Sequence, residues 1–109
     1  MIEVSVFHSS SGICAFSMKG HSGYGEEGTD IVCAAVSAIA QYVIEALSHT
    51  LLLPCLSECR EGLITFSFTE EATASQRKAA QPFLVTLERT IRELSVSYEA
   101  YLKICSLEV

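Results

Sequence analysis

The sequence predicts an α+β domain with the element order ββαββαβ, a two-layer sandwich in which an antiparallel or mixed sheet packs with two helices. Three observations lead to this fold class. The chain has 109 residues and 50% of them are hydrophobic, so we expect one domain with a real core. Apolar and polar residues alternate in four short segments, and a fifth segment forms a hairpin with one of them. Apolar residues recur at helical spacing in two longer ones.

The first half of the chain contains a hairpin, a glycine-rich segment and a helix. Residues 2–6 and 13–19 alternate as half-buried strands on either side of turn residues 9–12. The next segment, residues 20–28, holds four of the six glycines. A helix is predicted from about residue 30 to residue 49. Both of its sides are apolar, which indicates that it is sandwiched or lies at an interface.

The second half contains another hairpin and a final strand. Residues 55–60 and 63–69 read as two strands around the turn Glu61-Gly62, and the second of them alternates clearly. The last strand is predicted from about residue 101 to residue 107, where apolar and polar residues alternate again.

A second helix is predicted between these strands, from about residue 73 to residue 94. Its apolar stripe contains Pro82, which lacks the amide N–H that a helix interior needs. Pro82 therefore predicts either a kink or a true helix start near Gln81.

The charge balance limits the choice of partners. Seven basic and thirteen acidic residues give a net charge of −6, and the basic residues are scattered along the chain. Nucleic-acid binding needs a clustered basic face, so we expect no direct nucleic-acid binding. An acidic protein suits a basic partner or substrate through electrostatic steering.

The apolar stretches and the cysteines indicate a cytoplasmic protein. Residues 31–53 are interrupted by polar residues such as Gln41 and Glu45, which predicts a buried helix and no membrane span. The first ten residues alternate like a strand and lack a basic segment, so we expect no signal peptide. The five cysteines follow no framework spacing, which indicates reduced thiols.

The candidate site lies where the glycine-rich segment enters the first helix. Cys33 is the third or fourth helical residue, depending on whether Asp30 or Thr29 is the N-cap, and the positive end of the helix dipole favours its thiolate. His21 lies on the preceding loop and is a candidate base. Free amides of the first helical turn are candidates for binding an oxyanion. Asp30 is a candidate for orienting the histidine or for capping the helix.

Each of these residues also has a purely structural interpretation. Cys33 lies in an apolar run and is equally consistent with a small buried hydrophobic residue. His21 is equally consistent with a solvent-exposed loop histidine. A capping role alone is the better interpretation of Asp30.

Two other motifs are rejected. Residues 23–28 match G-x-G-x-x-G, but the strand before them belongs to a hairpin and the chain is too short for two mononucleotide-binding halves. Cys55 and Cys59, with His49 upstream, form an incomplete zinc set. We therefore expect no cofactor and no metal.

Residues 21–37 closely resemble the signature of the ribosomal-processing cysteine protease family, Prp. The match consists of the Gly-His pair at residues 20–21, the run G-x-D-I-V-C-A-A-V-S and the separation between them. Length and element order are compatible with the family over essentially the whole chain. The resemblance therefore implies a single domain of this type over residues 1–109.

The resemblance implies roles for particular residues. The family's catalytic cysteine falls on Cys33, its catalytic histidine falls on His21, and Asp30 matches the motif aspartate. Ser22 stands where a small apolar residue is usual, and Thr29 stands where a basic or other polar residue is common. The family's glycine-rich loop closes over substrate, and it corresponds here to Gly20, Ser22, Gly23, Tyr24, Gly25 and Gly28.

The resemblance also implies a function. Members of the family are small cytoplasmic homodimers of Firmicutes and related bacteria. They remove a short N-terminal extension from the large-subunit ribosomal protein numbered twenty-seven, and they cut after an aromatic residue. The chain is therefore expected to be a cysteine endopeptidase whose substrate is a basic ribosomal protein precursor.

A rival from a different class is a non-catalytic ribosome-assembly or peptide-binding module. A glycine-rich loop that orders on binding would serve such a module equally well. The pair of His21 and Cys33 discriminates between the two, because a pure binder does not need both residues.

Overall fold

A computed structural model describes residues 1–21, 25 and 30–109 of the chain. The predicted order ββαββαβ is confirmed. A π-helical segment, Ala46–Thr50, extends the first helix. The elements are β1 (Ile2–Ser9), β2 (Gly12–Lys19), α1 (Ile31–Glu45), β3 (Cys55–Arg60), β4 (Leu63–Phe68), α2 (Ala74–Ser97) and β5 (Leu102–Glu108).

The five strands form one mixed sheet in the order β3-β4-β2-β1-β5. The pairs β1–β2, β2–β4 and β3–β4 are antiparallel, whereas β1 and β5 are parallel. Of the two predicted alternatives, an antiparallel or a mixed sheet, the structure has the mixed one. The order leaves β3 and β5 as the two edge strands.

One face of the sheet forms the core with the two helices. The alternation in the strands places every second side chain on this face, as a strand period of two requires. The rings of Phe16 and Phe66 stack there with centroids 5.5 Å apart. The buried core residues of the strands are Ile2, Val4, Val6, Ile13, Phe16, Met18, Ile64, Phe66 and Leu102.

Helix α1 buries one side and exposes much of the other. Val32, Val36 and Ala40 are buried against the sheet, whereas Ile31 and Tyr42 are 53% and 72% exposed. By length and composition, Ile31–Thr50 is the one helix in the described part of the chain that is apolar enough to cross a membrane. Core helices pass the same test, and the buried side of this helix packs in the domain core.

Helix α2 runs without interruption through Pro82, so the alternative start near Gln81 is wrong. A capping box holds the actual start: the amide of Gln76 donates to Thr73 Oγ1 (3.1 Å), and the amide of Thr73 donates to Gln76 Oε1 (2.9 Å). The proline deprives the carbonyl of Lys78 of its helical donor. Lys78 is exposed, so water can hydrate that carbonyl.

Candidate active site

Asp30 is the N-cap residue of α1. Its Oδ1 accepts hydrogen bonds from the amides of Val32 and Cys33, each at 3.0 Å. A short carboxylate at this position satisfies amides that have no partner within the helix. Cys33 is therefore the third residue of α1, in the turn where the helix dipole is positive.

Cys33 lies on the wall of a cleft of about 710 Å3. The residue is partly buried, and one side of it packs against the core. Ser37 and Gln41 follow Cys33 at four-residue intervals and line the same cleft. Helix α1 thus forms one wall, with the thiol near its first turn.

His21 lines the same cleft, two residues after the end of β2. The amide of Gly20 donates to the carbonyl of Gly62 (2.9 Å), which ties the end of β2 to the β3–β4 turn. Gly20 has a φ of +95°, a conformation that glycine adopts without strain. His21 Nε2 lies 3.4 Å from the place that a Cβ on Gly62 would occupy, so the ring sits beside this turn.

The structure therefore brings His21, Asp30 and Cys33 to one cleft. Within the described residues, no hydrogen bond joins the side chains of His21 and Cys33. Gly25 also lines the cleft. The other predicted loop residues, Ser22, Gly23, Tyr24 and Gly28, lie outside the described part of the chain.

Residues 1–103 match the family described as "Cysteine protease Prp". The chain belongs to the Prp cysteine protease family. A curated relative, the "Ribosomal processing cysteine protease Prp" of Bacillus subtilis (strain 168), is 27% identical over 107 residues, which are 95% of this chain and 96% of the relative.

Solved Prp structures share the fold. The Prp protease of S. aureus with a covalently linked product peptide superposes with a TM-score of 0.83 and 22% identity, over 97% of this chain and 99% of that one. The same protease with a substrate peptide gives a TM-score of 0.79 and 21% identity over the same shares. The chain is a cysteine protease with the Prp fold.

The expectation of free first-turn amides is wrong for Val32 and Cys33. Both amides donate to the Asp30 carboxylate. The N-cap that the sequence predicts is itself the reason, because it satisfies the same donors. The amides of Val32 and Cys33 are therefore occupied by the helix cap.

The second wall of the cleft was missed by sequence reasoning. It consists of residues of the β3–β4 hairpin, which belong to none of the motifs that predict the active site. The antiparallel pairing of β2 with β4 brings them to His21, because Lys19 at the end of β2 lies opposite Leu63 at the start of β4. The alternation of the two hairpins was a signal for one sheet, but it did not predict which strands are neighbours. The residues are Cys59, Arg60, Glu61, Gly62 and Ile64.

The described residues contain no group of three or more His, Cys, Asp or Glu side chains that could hold a metal ion. Cys55 of the rejected zinc motif instead lies beside Ser48, with its Sγ 3.1 Å from the Ser48 Oγ.

A separate polar cluster joins α2 to the edge of the sheet away from the cleft. His8 Nε2 lies 2.7 Å from Glu88 Oε2, and Ser106 Oγ donates to the same oxygen (2.8 Å). Burial raises the pKa of Glu88, but hydrogen bonds from His8 and Ser106 and the charges of His8 and Arg92 outweigh it. The pKa of Glu88 therefore lies below the ordinary value of a glutamate.

Proposed function

We propose that this protease removes the N-terminal extension of the large-subunit ribosomal protein numbered twenty-seven, cutting after an aromatic residue with Cys33 and His21 as its catalytic dyad. The observation that carries the proposal is the shared cleft. A cysteine in the first turn of a helix and a histidine on the loop before it line one cavity of about 710 Å3, open to solvent at His21.

The proposed mechanism is acyl transfer. The Cys33 thiolate attacks the scissile carbonyl carbon, and His21 protonates the leaving amine as the carbon–nitrogen bond breaks. His21 then removes a proton from water, which attacks the thioester and releases the new carboxylate and the thiol. A hydrogen bond between the two side chains is not required beforehand, because catalytic hydrogen bonds often tighten only in the substrate complex.

The names of two relatives and the net charge of this chain support the proposed substrate. The curated relative is named a ribosomal processing protease, and the S. aureus relative is described in complex with a substrate peptide. The net charge of −6 favours encounter with a basic ribosomal protein. We place the reaction in the cytoplasm, where ribosomal proteins are made.

Mass spectrometry of a peptide spanning the extension tests the proposal. The wild type is expected to make one cut after an aromatic residue, and Cys33→Ala is expected to make none while remaining folded. Cys105→Ala is the matched control, because Cys105 is also a partly buried thiol but lies on the distant strand β5. Binding of the peptide by the wild type without cleavage would favour the non-catalytic binding module.

His21 has its own test. His21→Gln is expected to lower kcat/KM by about 10²–10⁴-fold, because general acid–base catalysis contributes roughly this factor. The measurement is cleavage of the same peptide, with thermal unfolding as the control for folding. Full activity of this variant would exclude His21 as the acid and base.

We also propose that the protease is a homodimer joined through its helices. A groove of about 500 Å3 between α1 and α2 is lined mainly by apolar residues, among them Ile39, Tyr42 and Phe83. This groove fits the sequence prediction that the first helix lies at an interface. Tyr42→Glu is expected to halve the mass measured by light scattering, and an unchanged dimer mass would exclude this face.

A further inference from the structure

The free edge of β3 ends at the cleft that holds Cys33. Strand β3 ends the sheet, and in the described part of the chain no other strand pairs with its outer edge. Its last two residues, Cys59 and Arg60, line the cleft opposite α1. An edge strand is a ready template for an extended peptide, because its outer amides and carbonyls have no strand partner.

The register shows which backbone groups point outward. The amide of Thr69 donates to the carbonyl of Pro54 (3.1 Å). Pro54 and Thr69 are therefore a hydrogen-bonded pair, one position before the pair Cys55–Phe68 along β3. Hydrogen-bonded and non-hydrogen-bonded pairs alternate along an antiparallel ladder. Leu56, Glu58 and Arg60 therefore bond to β4. Cys55, Ser57 and Cys59 direct their N–H and C=O groups to the free edge.

The turn end of the hairpin leads to the same assignment of hydrogen-bonded and non-hydrogen-bonded pairs. The amide of Gly20 donates to the carbonyl of Gly62, so Gly62 directs its backbone toward β2. Its neighbour Leu63 must then face β3, and the pair Arg60–Leu63 is a hydrogen-bonded one. Two independent hydrogen bonds thus place the outward groups of Cys59 next to the cleft.

A peptide paired with this edge would lie beside β3 in the plane of the sheet, next to the cleft. Cys59 is opposite Ile64, which is buried beneath the helices, so the Cys59 side chain lies on the helix side of the sheet. A new strand would run about 4.8 Å from β3. Every second side chain of the peptide would then face α1, where Ser37 and Gln41 line the wall beyond Cys33.

The second edge strand, β5, is too distant to serve the same site. It is separated from β3 by β4, β2 and β1, which at about 4.8 Å per strand is roughly 19 Å. No residue of β5 lines the cleft. A peptide held on β5 could not present its scissile bond to Cys33.

We propose that the substrate peptide adds to the sheet as a sixth strand on β3, exchanging main-chain hydrogen bonds with Cys59 and Ser57. This inference rests on the proposed function, because it positions the proposed substrate at Cys33. Recognition through the main chain tolerates sequence variation, and specificity then comes from the alternate side chains that face α1.

A proline substitution on the edge tests the proposal. Ser57→Pro removes an outward N–H without removing a bond to β4, a position where edge strands tolerate proline. The preceding Leu56 already has the extended conformation that a following proline favours. We expect kcat/KM to fall at least about tenfold, equivalent to roughly 1.4 kcal/mol. We expect the rate of Cys33 alkylation by iodoacetamide to stay unchanged.

Glu108→Pro on β5 is the matched control. The amide of Val109 donates to the carbonyl of His8, so in the parallel ladder the neighbouring amide of Glu108 points to the other free edge. This variant is expected to cleave like the wild type. Cleavage by Ser57→Pro at the wild-type rate would overturn strand addition while leaving the proposed function intact.

A second measurement needs no protein variant. Extension peptides that are N-methylated at one residue at a time are offered to the wild type, and cleavage should be lost at alternate residues, because only every second peptide amide faces β3. Loss without this alternation would overturn the proposal. Failure of the wild type to cut the unmethylated peptide would instead overturn the proposed function, and strand addition with it.

Discussion

Replacing Asp30 separates a capping role from a chemical one. The carboxylate accepts two amide hydrogen bonds at 3.0 Å, from Val32 and Cys33. Asp30→Asn keeps an oxygen in the same place and removes the charge, whereas Asp30→Ala removes both bonds. The two variants therefore share the loss of charge and differ in the cap.

The expected magnitudes follow from these two bonds. Loss of an N-cap costs about 0.5–2 kcal/mol, and loss of both acceptor contacts puts Asp30→Ala in the upper half of this range. For a domain of about 100 residues, each kcal/mol shifts Tm by roughly 4–8 °C. Asp30→Asn is expected to change the free energy of unfolding by less than about 0.5 kcal/mol, because asparagine caps as well as aspartate.

Thermal unfolding and peptide cleavage are measured on both variants. If Asp30 acts only as a cap, Asp30→Asn retains kcat/KM to within about threefold, a change of roughly 0.7 kcal/mol. An Asp30→Asn variant with normal Tm and activity lowered by about a hundredfold or more would show that the carboxylate has a chemical role. An unchanged Tm in Asp30→Ala would refute the capping energy itself.

Three further predictions concern stability and the placement of the histidine. Because folding lowers the pKa of Glu88, this residue stabilises the fold above the ordinary glutamate pKa, and the stabilisation is lost as pH falls through the lowered value. In urea titrations Glu88→Gln should therefore reduce the fall of the unfolding free energy at acid pH, and an unchanged fall would contradict this. Phe66→Ala should lower the free energy of unfolding by about 3–5 kcal/mol in urea, because the ring is buried in the core, and a loss below about 1 kcal/mol would contradict this. Gly20→Ala should lower the free energy of unfolding by about 1–3 kcal/mol, because Gly20 has positive φ and a Cβ there would lie 2.6 Å from the carbonyl oxygen of Met1. It should also lower kcat/KM by displacing His21, and a wild-type Tm and activity would refute the strain.

Local patterns were sufficient to predict the elements of the fold. The alternation of Ile2, Val4 and Val6 predicted a strand with one buried face, and all three residues are buried. Alternation reports which face of a strand is buried, but it does not report which strand is its neighbour. The order β3-β4-β2-β1-β5 and the parallel pairing of β5 therefore could not be predicted from it.

The candidate site was predictable only where it is local in sequence. His21, Asp30 and Cys33 lie within thirteen residues, and their spacing around a helix start carried the prediction. The opposite wall depends on pairing between β2 and β4, whose partners Lys19 and Leu63 are far apart in the chain. Long-range pairing of this kind leaves no signal in a single sequence.

At Pro82, packing of the helix outweighs the tendency of proline to interrupt a helix. The missing N–H predicted a possible later helix start, yet the capping box begins α2 at Ala74. Helical residues on both sides of the proline are buried, Ala80 and Leu84 among them. Packing of this stripe against the sheet outweighs one lost hydrogen bond, because most helical stability in proteins comes from the packed face.

The parallel pairing of β1 with β5 has a consequence for how the chain is made. Ile2 lies opposite Leu102 and His8 lies opposite Glu108, so β1 receives this partner only after the four other strands and both helices have been synthesised. Synthesis proceeds at about 5–20 residues per second, and contacts of such high sequence separation form slowly. Until β5 has been made, one edge of β1 has no strand partner. A protease proposed to mature a ribosomal protein therefore completes its own sheet with the strand that comes last among the five in chain order.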